Sequence, residues 1–177
     1  MVNLLKGYIG LSNRLIGWAG NVVSWLTAIL VLVICYDVVM RYLFNSSSVA
    51  IYEIEWHIFA LIFLLGAGFA LKHDKHVRVD VFYSRFPEKT RAWVNLAGTT
   101  LLLFPFCIIL ITEGFDFVAN SFRLSESSPD PGGLPARYLI KAAIPVGMGL
   151  LLIQAVSLAC QSVLTIIEPK QTPDQRD

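Results

Sequence analysis

The chain has 177 residues, of which 55% are hydrophobic and only 15% charged. Soluble domains carry about 25% charged residues, and a core of this size cannot hide so much apolar surface from water, so lipid is the solvent that fits. The net charge of +1 supplies no field for a polyanion, which excludes nucleic acid as a partner.

Residues 1–17 place Leu4, Tyr8, Leu11 and Leu15 on one helical face, and Trp18 continues the stripe, with Asn3, Lys6, Asn13 and Arg14 largely opposite. That pattern predicts a short amphipathic helix lying in the membrane interface, with a plain extension of the first span as the alternative. No cleavable signal is expected at the start, since the first apolar run is too long and lacks a small-residue cleavage site.

Four apolar segments follow, at about 18–44, 51–71, 93–111 and 134–167. Each reaches the roughly 20 residues needed to cross a hydrocarbon core of about 30 Å. The spacing therefore predicts an all-α membrane protein: four transmembrane helices over 18–167, the interfacial helix before them and a cytoplasmic tail at 168–177. Pro105 and Pro145 fall inside the third and fourth spans, where each removes a backbone donor and should kink its helix. The connections are a short turn after Phe44, a charged loop over 72–91 and a Ser/Pro/Gly-rich loop over 121–133 that reads as successive turns.

With both termini in the cytoplasm, that side holds ten Lys and Arg residues, Lys6, Arg14, Lys72, Lys75, Arg78, Arg85, Lys89, Arg91, Lys170 and Arg176. The other side holds four, Arg41, Arg123, Arg137 and Lys141, and the positive-inside bias selects this orientation.

Ionisable residues inside a membrane are costly and invite a functional reading. Asp37 and Arg41 are one turn apart on the first span, and the short turn brings Glu53 and Glu55 alongside; Glu53 and His57 share a face. This group is either a proton or ion relay or a helix clamp or subunit interface. Arg41 near a helix end and Glu53 at a helix start favour the clamp, because side chains there can snorkel. A b-type haem would need two facing histidines, whereas His73 and His76 lie at the far end of the second span from His57. Cys35, Cys107 and Cys160 stand in apolar runs without ligand spacing, so neither a disulfide nor a metal site is expected. Gly66 with Ala70, and Ala143 with Gly147, are small-xxx-small pairs that allow close helix approach. With the third span ending at 111, no nucleophile–base pair, phosphate loop or paired mid-membrane carboxylate is expected within the spans, and no enzyme is expected.

The stretches RYLFN (41–45), EIEWH (53–57), LLGAGFALKHDKHVRVDVFY (64–83) and SPDPGGLPARYLIKAAIP (128–145) together resemble one family. It is the DctQ-like small permease subunit of tripartite ATP-independent periplasmic (TRAP) transporters, and the similarity covers nearly the whole chain. The resemblance implies a bacterial inner-membrane subunit that pairs with a large permease subunit carrying the substrate and sodium sites. A periplasmic binding protein would deliver an organic acid to the pair, and this chain itself would hold no cofactor. The long loop, with Arg123, Glu126, Asp130 and Arg137, is the candidate contact for the binding protein. The alternative from another class is a membrane anchor for a redox enzyme; a small exporter would need a carboxylate within Leu26 to Ile34, which has none.

Overall fold

The computed structural model describes residues 2–73 and 86–167. The tail at 168–177 and most of the charged loop, including Lys75, His76, Arg78 and Arg85, lie outside the described residues. The helices are α1 (Val2–Leu43), α2 (Val49–Lys72), α3 (Glu88–Gly98), α4 (Phe104–Arg123) and α5 (Tyr138–Ile167). A π-helical turn over Thr99–Leu103 joins α3 to α4 without a break. Pro105 explains this turn: it has no N–H to donate, its ring would press on the carbonyl one turn earlier, and a widened turn accommodates both. Four candidate spans result, one of them the continuous Glu88–Arg123 rod.

No separate interfacial helix precedes the first span. Residues 2–43 form one helix of 42 residues, roughly 60 Å at 1.5 Å per residue. Nothing between Gly17 and Trp18 ends a helix, there being no proline and no capping turn, and an unbroken helix satisfies every backbone group in lipid. The apolar stripe faces outward: Leu4 is 80% exposed, Leu11 69% and Trp18 67%, whereas Ile16 is 1% exposed. The face that packs is Ser12, Ile16, Ala19 and Gly20, because small side chains let α1 approach its neighbours. Phe69 of α2 lies over Gly20.

The third span likewise runs past its expected end at 111, through Glu113 and Asp116 to Arg123.

α5 is the hub and packs against each of the other helices. Its apolar face carries Met148, Leu151 and Ala155 into a core shared with Leu71 of α2 and Cys107 of α4. Two glycines set the α2–α5 distance. A Cβ on Gly147 would lie 2.6 Å from the Leu64 carbonyl oxygen, and one on Gly68 would lie 3.2 Å from that of Leu150. Of the expected small-residue pairs, Ala143 and Gly147 are buried in this packing, whereas Gly66 faces Val23 of α1. Gly114 of α4 makes room for Pro145, whose Cδ would be 3.2 Å from an added Cβ.

Buried polar groups join α1 to α5 near the chain termini. Tyr8 OH donates to the Ile153 carbonyl at 3.0 Å, and Ser12 Oγ to Gln154 Oε1 at 3.1 Å. Lys72 Nζ, at the end of α2, donates to the Asn13 carbonyl at 2.9 Å. Elsewhere the bundle is inside out: Trp25, Phe59, Phe63, Leu101 and Phe115 are exposed, as suits a protein bathed in acyl chains. Hydroxyls on outward faces bond back to their own helix, Thr27 to the Val23 carbonyl and Thr112 to those of Ile108 and Ile109.

Candidate functional site: a carboxylate that holds the long loop

Glu53 stands one turn into α2, at the end of the bundle opposite the chain termini, and is 2% exposed. A buried carboxylate must be met by donors, and three converge on it. Ser128 Oγ donates to Oε1 at 2.5 Å, Arg137 Nη2 to the same oxygen at 3.1 Å, and the Leu134 N–H to Oε2 at 2.5 Å. All three belong to the connection between α4 and α5. Glu53 therefore fastens a loop that is distant in sequence onto the top of α2.

The loop is folded to suit. Ser128 N–H donates to the Leu134 carbonyl at 3.0 Å, closing a ring of turns, and Ser128 Oγ also accepts the Asp130 N–H at 3.2 Å. Gly132 has a φ of 83°, the left-handed region that glycine enters freely. A Cβ on Gly133 would fall 2.3 Å from Ser128 Oγ and 2.9 Å from Glu53 Oε2, so only glycine lets the carboxylate in. Arg137 N–H donates to the Glu126 carbonyl at 2.9 Å, pinning the loop's exit to its entry.

A second pair reinforces the first. Lys141 Nζ donates to Glu126 Oε2 and lies 3.9 Å from the centre of the Phe117 ring. The Lys141 ammonium beside it holds the Glu126 carboxyl below the usual carboxylate range. The Arg137 guanidinium lies 5.8 Å from the centre of the Trp56 ring, which itself stacks on His57 at 3.9 Å.

Ala136 has a φ of 61°, between two residues that bond Glu53. An alanine in the left-handed region costs about 1–2 kcal/mol, and the grip at Leu134 and Arg137 holds it there. Ala136→Gly should therefore stabilise the protein by about 1 kcal/mol, visible as a higher melting temperature in detergent. An unchanged or lower temperature would show that no strain is stored.

The residues singled out in the sequence divide in two. Glu53, Arg137 and Glu126 are drawn into the loop assembly. Arg123 and Asp130 are exposed beside it. Arg41 pairs with Asp37 on its own helix rather than with Glu53; Asp37 is buried and Arg41 half exposed. His57 Nδ1 donates to the Glu53 backbone carbonyl, one turn back. Glu55 is half buried, with Oε1 enclosed and unbonded. Sequence alone did not single out Ser128, Gly133 or the Leu134 amide; the signal available was a turn-rich PDPGGLP run expected at the same end of the bundle as the acid at the start of α2. It also missed Ser12 and Gln154, whose polarity inside apolar helices was the signal.

Among the described residues no group of three or more His, Cys, Asp and Glu could hold a metal. The buried polar groups around Glu53 fasten one element to another. Four apolar spans, an outward-facing hydrophobic surface and a tied-down loop define an integral membrane protein of the multi-pass class.

The family described as tripartite ATP-independent periplasmic transporters, DctQ component, matches residues 30–165. That covers well over half of the chain, and the protein belongs to this family of TRAP small permeases. The C4-dicarboxylate TRAP transporter small permease protein DctQ of Vibrio cholerae is 26% identical over 147 residues, covering 72% of this chain and 63% of that relative. A putative TRAP transporter small permease protein of Haemophilus influenzae is 28% identical over 121 residues, covering 68% of this chain and 73% of the relative. The match thus spans somewhat less than two thirds of the Vibrio protein's length. Family and spans together make this a transporter component of the inner membrane and not an enzyme, which sets aside the redox-anchor alternative.

Proposed function

We propose that this chain is the stationary small subunit of a TRAP transporter. It braces a large permease subunit that carries the substrate and sodium sites, and it helps receive a periplasmic binding protein. The solute is an organic acid; the name of the Vibrio relative points to a C4-dicarboxylate. Both termini face the cytoplasm on the ten-to-four distribution of Lys and Arg, which puts Glu53 and the long loop on the periplasmic side.

The observation that carries this reading is the use to which buried polarity is put. A conduit needs polar groups left available along a path through the bilayer. Here Glu53, Ser12, Gln154, Tyr8 and Lys72 are each engaged in joining one helix or loop to another. A rigid unit with a large lipid-compatible surface suits the part that stays still while another slides.

The test is reconstitution. This subunit should co-purify with a large membrane partner, and vesicles holding both, given the binding protein and a sodium gradient, should accumulate an organic acid. Vesicles holding this subunit alone should accumulate none. Solute uptake by the isolated subunit would overturn the proposal.

A further inference from the structure

On α4 the buried face is Cys107, Gly114 and Ser121, at intervals of seven residues. The opposite face carries Phe106, Ile109, Glu113, Asp116 and Asn120, all exposed and spaced three or four apart. Two carboxylates thus point away from the bundle.

Close helix contacts set their level relative to α2. Gly114 lies against Pro145, and two residues further along α5 Gly147 lies against the Leu64 carbonyl. Leu64 is eleven residues below Glu53 and eight above Lys72, or roughly 16 Å and 12 Å along α2. Glu53 and Lys72 stand near the two ends of α2, so Glu113 is level with the middle of that helix, with Asp116 about one turn nearer the Glu53 end. An ionisable group at such a depth is expensive if it faces acyl chains, and such groups normally face protein. The described helices supply neither carboxylate with a basic neighbour; Lys141, the nearest cation on α5, is committed to Glu126.

We infer that this face of α4 is covered in the assembled transporter by a membrane helix of the large partner subunit, and that this helix presents a Lys or Arg side chain to Glu113 and Asp116. The inference rests on the proposed role as a bracing subunit and names the face that does the bracing. The charge pattern argues for the occupant: Phe106 and Ile109 offer an apolar seat, and the two acids above it select a cation at matching depth. Lipid leaves those charges unanswered, whereas a cationic helix answers both.

The experiment uses the complex purified through a tag on this subunit. Glu113→Lys and Asp116→Lys should each reduce the co-purified partner at least about tenfold, because like charges then meet in a medium of low dielectric. The melting temperature of the separately purified subunit should hardly change, since both side chains are exposed in it. A fluorophore attached through Glu113→Cys should be shielded from nitroxide-labelled lipids in the complex and quenched by them in the isolated subunit. Full recovery of partner with both Lys variants, or equal quenching in both states, would overturn the inference. If the unaltered subunit captures no large membrane partner at all, it is the bracing role itself that fails.

Discussion

Glu53→Gln should free the long loop almost as fully as Glu53→Ala. A glutamine offers one acceptor oxygen and one amide that can only donate, whereas the loop presents three donors, from Ser128, Leu134 and Arg137. Whichever way the amide turns, at least one donor is met by another donor. Glu53→Asp keeps the charge but falls a methylene short of the Ser128, Leu134 and Arg137 donors. The measurement is the rate at which a broad-specificity protease cuts within 124–137 in detergent. It should rise roughly tenfold or more for Gln and Ala, because local opening sets the cutting rate of a folded loop. A cutting rate for Glu53→Gln equal to that of the unaltered protein would mean that the loop is held by other contacts. Under the proposed function the same variant should weaken docking of the binding protein while leaving the large subunit bound.

The second large effect is expected at the α2–α5 crossing. Gly147 has the Leu64 carbonyl oxygen at 2.6 Å, the carbonyl carbon at 2.9 Å and the Leu64 Cβ at 3.0 Å from where its own Cβ would stand. Two of these three atoms are backbone, so no rotamer change can make way and the helices must move apart. Gly147→Ala should cost about 1–3 kcal/mol, the usual penalty for overpacking, and Gly147→Leu more. Loss of folded protein and a lower melting temperature are the readouts. Gly149, two residues on, has nothing within 4 Å of its would-be Cβ. Gly149→Ala should therefore be neutral or slightly stabilising, since a helical glycine costs up to about 1 kcal/mol relative to alanine. Equal effects at the two positions would show that helix propensity, not the close approach, governs this region.

Much of the fold could be read from hydropathy because a membrane span announces itself residue by residue. Helix ends were harder. The third span was expected to stop at 111, where Thr112, Glu113 and Asp116 interrupt the apolar run; the helix continues to Arg123 because those side chains point away from α5 while Gly114 and Ser121 keep packing on the other face. The first span was expected to be preceded by a separate interfacial helix, whereas residues 2–43 run as one unbroken helix. A stripe of leucines shows only that one face is apolar, and in lipid the apolar face need not be the packed one. Small residues decide that instead, and Ser12, Ala19 and Gly20 carried the information. Around Glu53 the acid and the turn-rich loop were both visible, but their union was not. The bonds join residues 75 to 84 positions apart, and no periodicity links them.

One consequence concerns the order in which the protein is made. α5 is the element to which all the others are fastened, and it is the last of the described helices to be synthesised. Tyr8 and Ser12 find their acceptors only when Ile153 and Gln154 arrive, 145 and 142 residues later. At about 5–20 residues per second that interval is roughly 7–29 s. Throughout it α1 must wait in the bilayer without these partners. A nascent chain cut off before Gln154 should therefore leave its first helix loose, a natural target for membrane proteases that survey unfinished polypeptides.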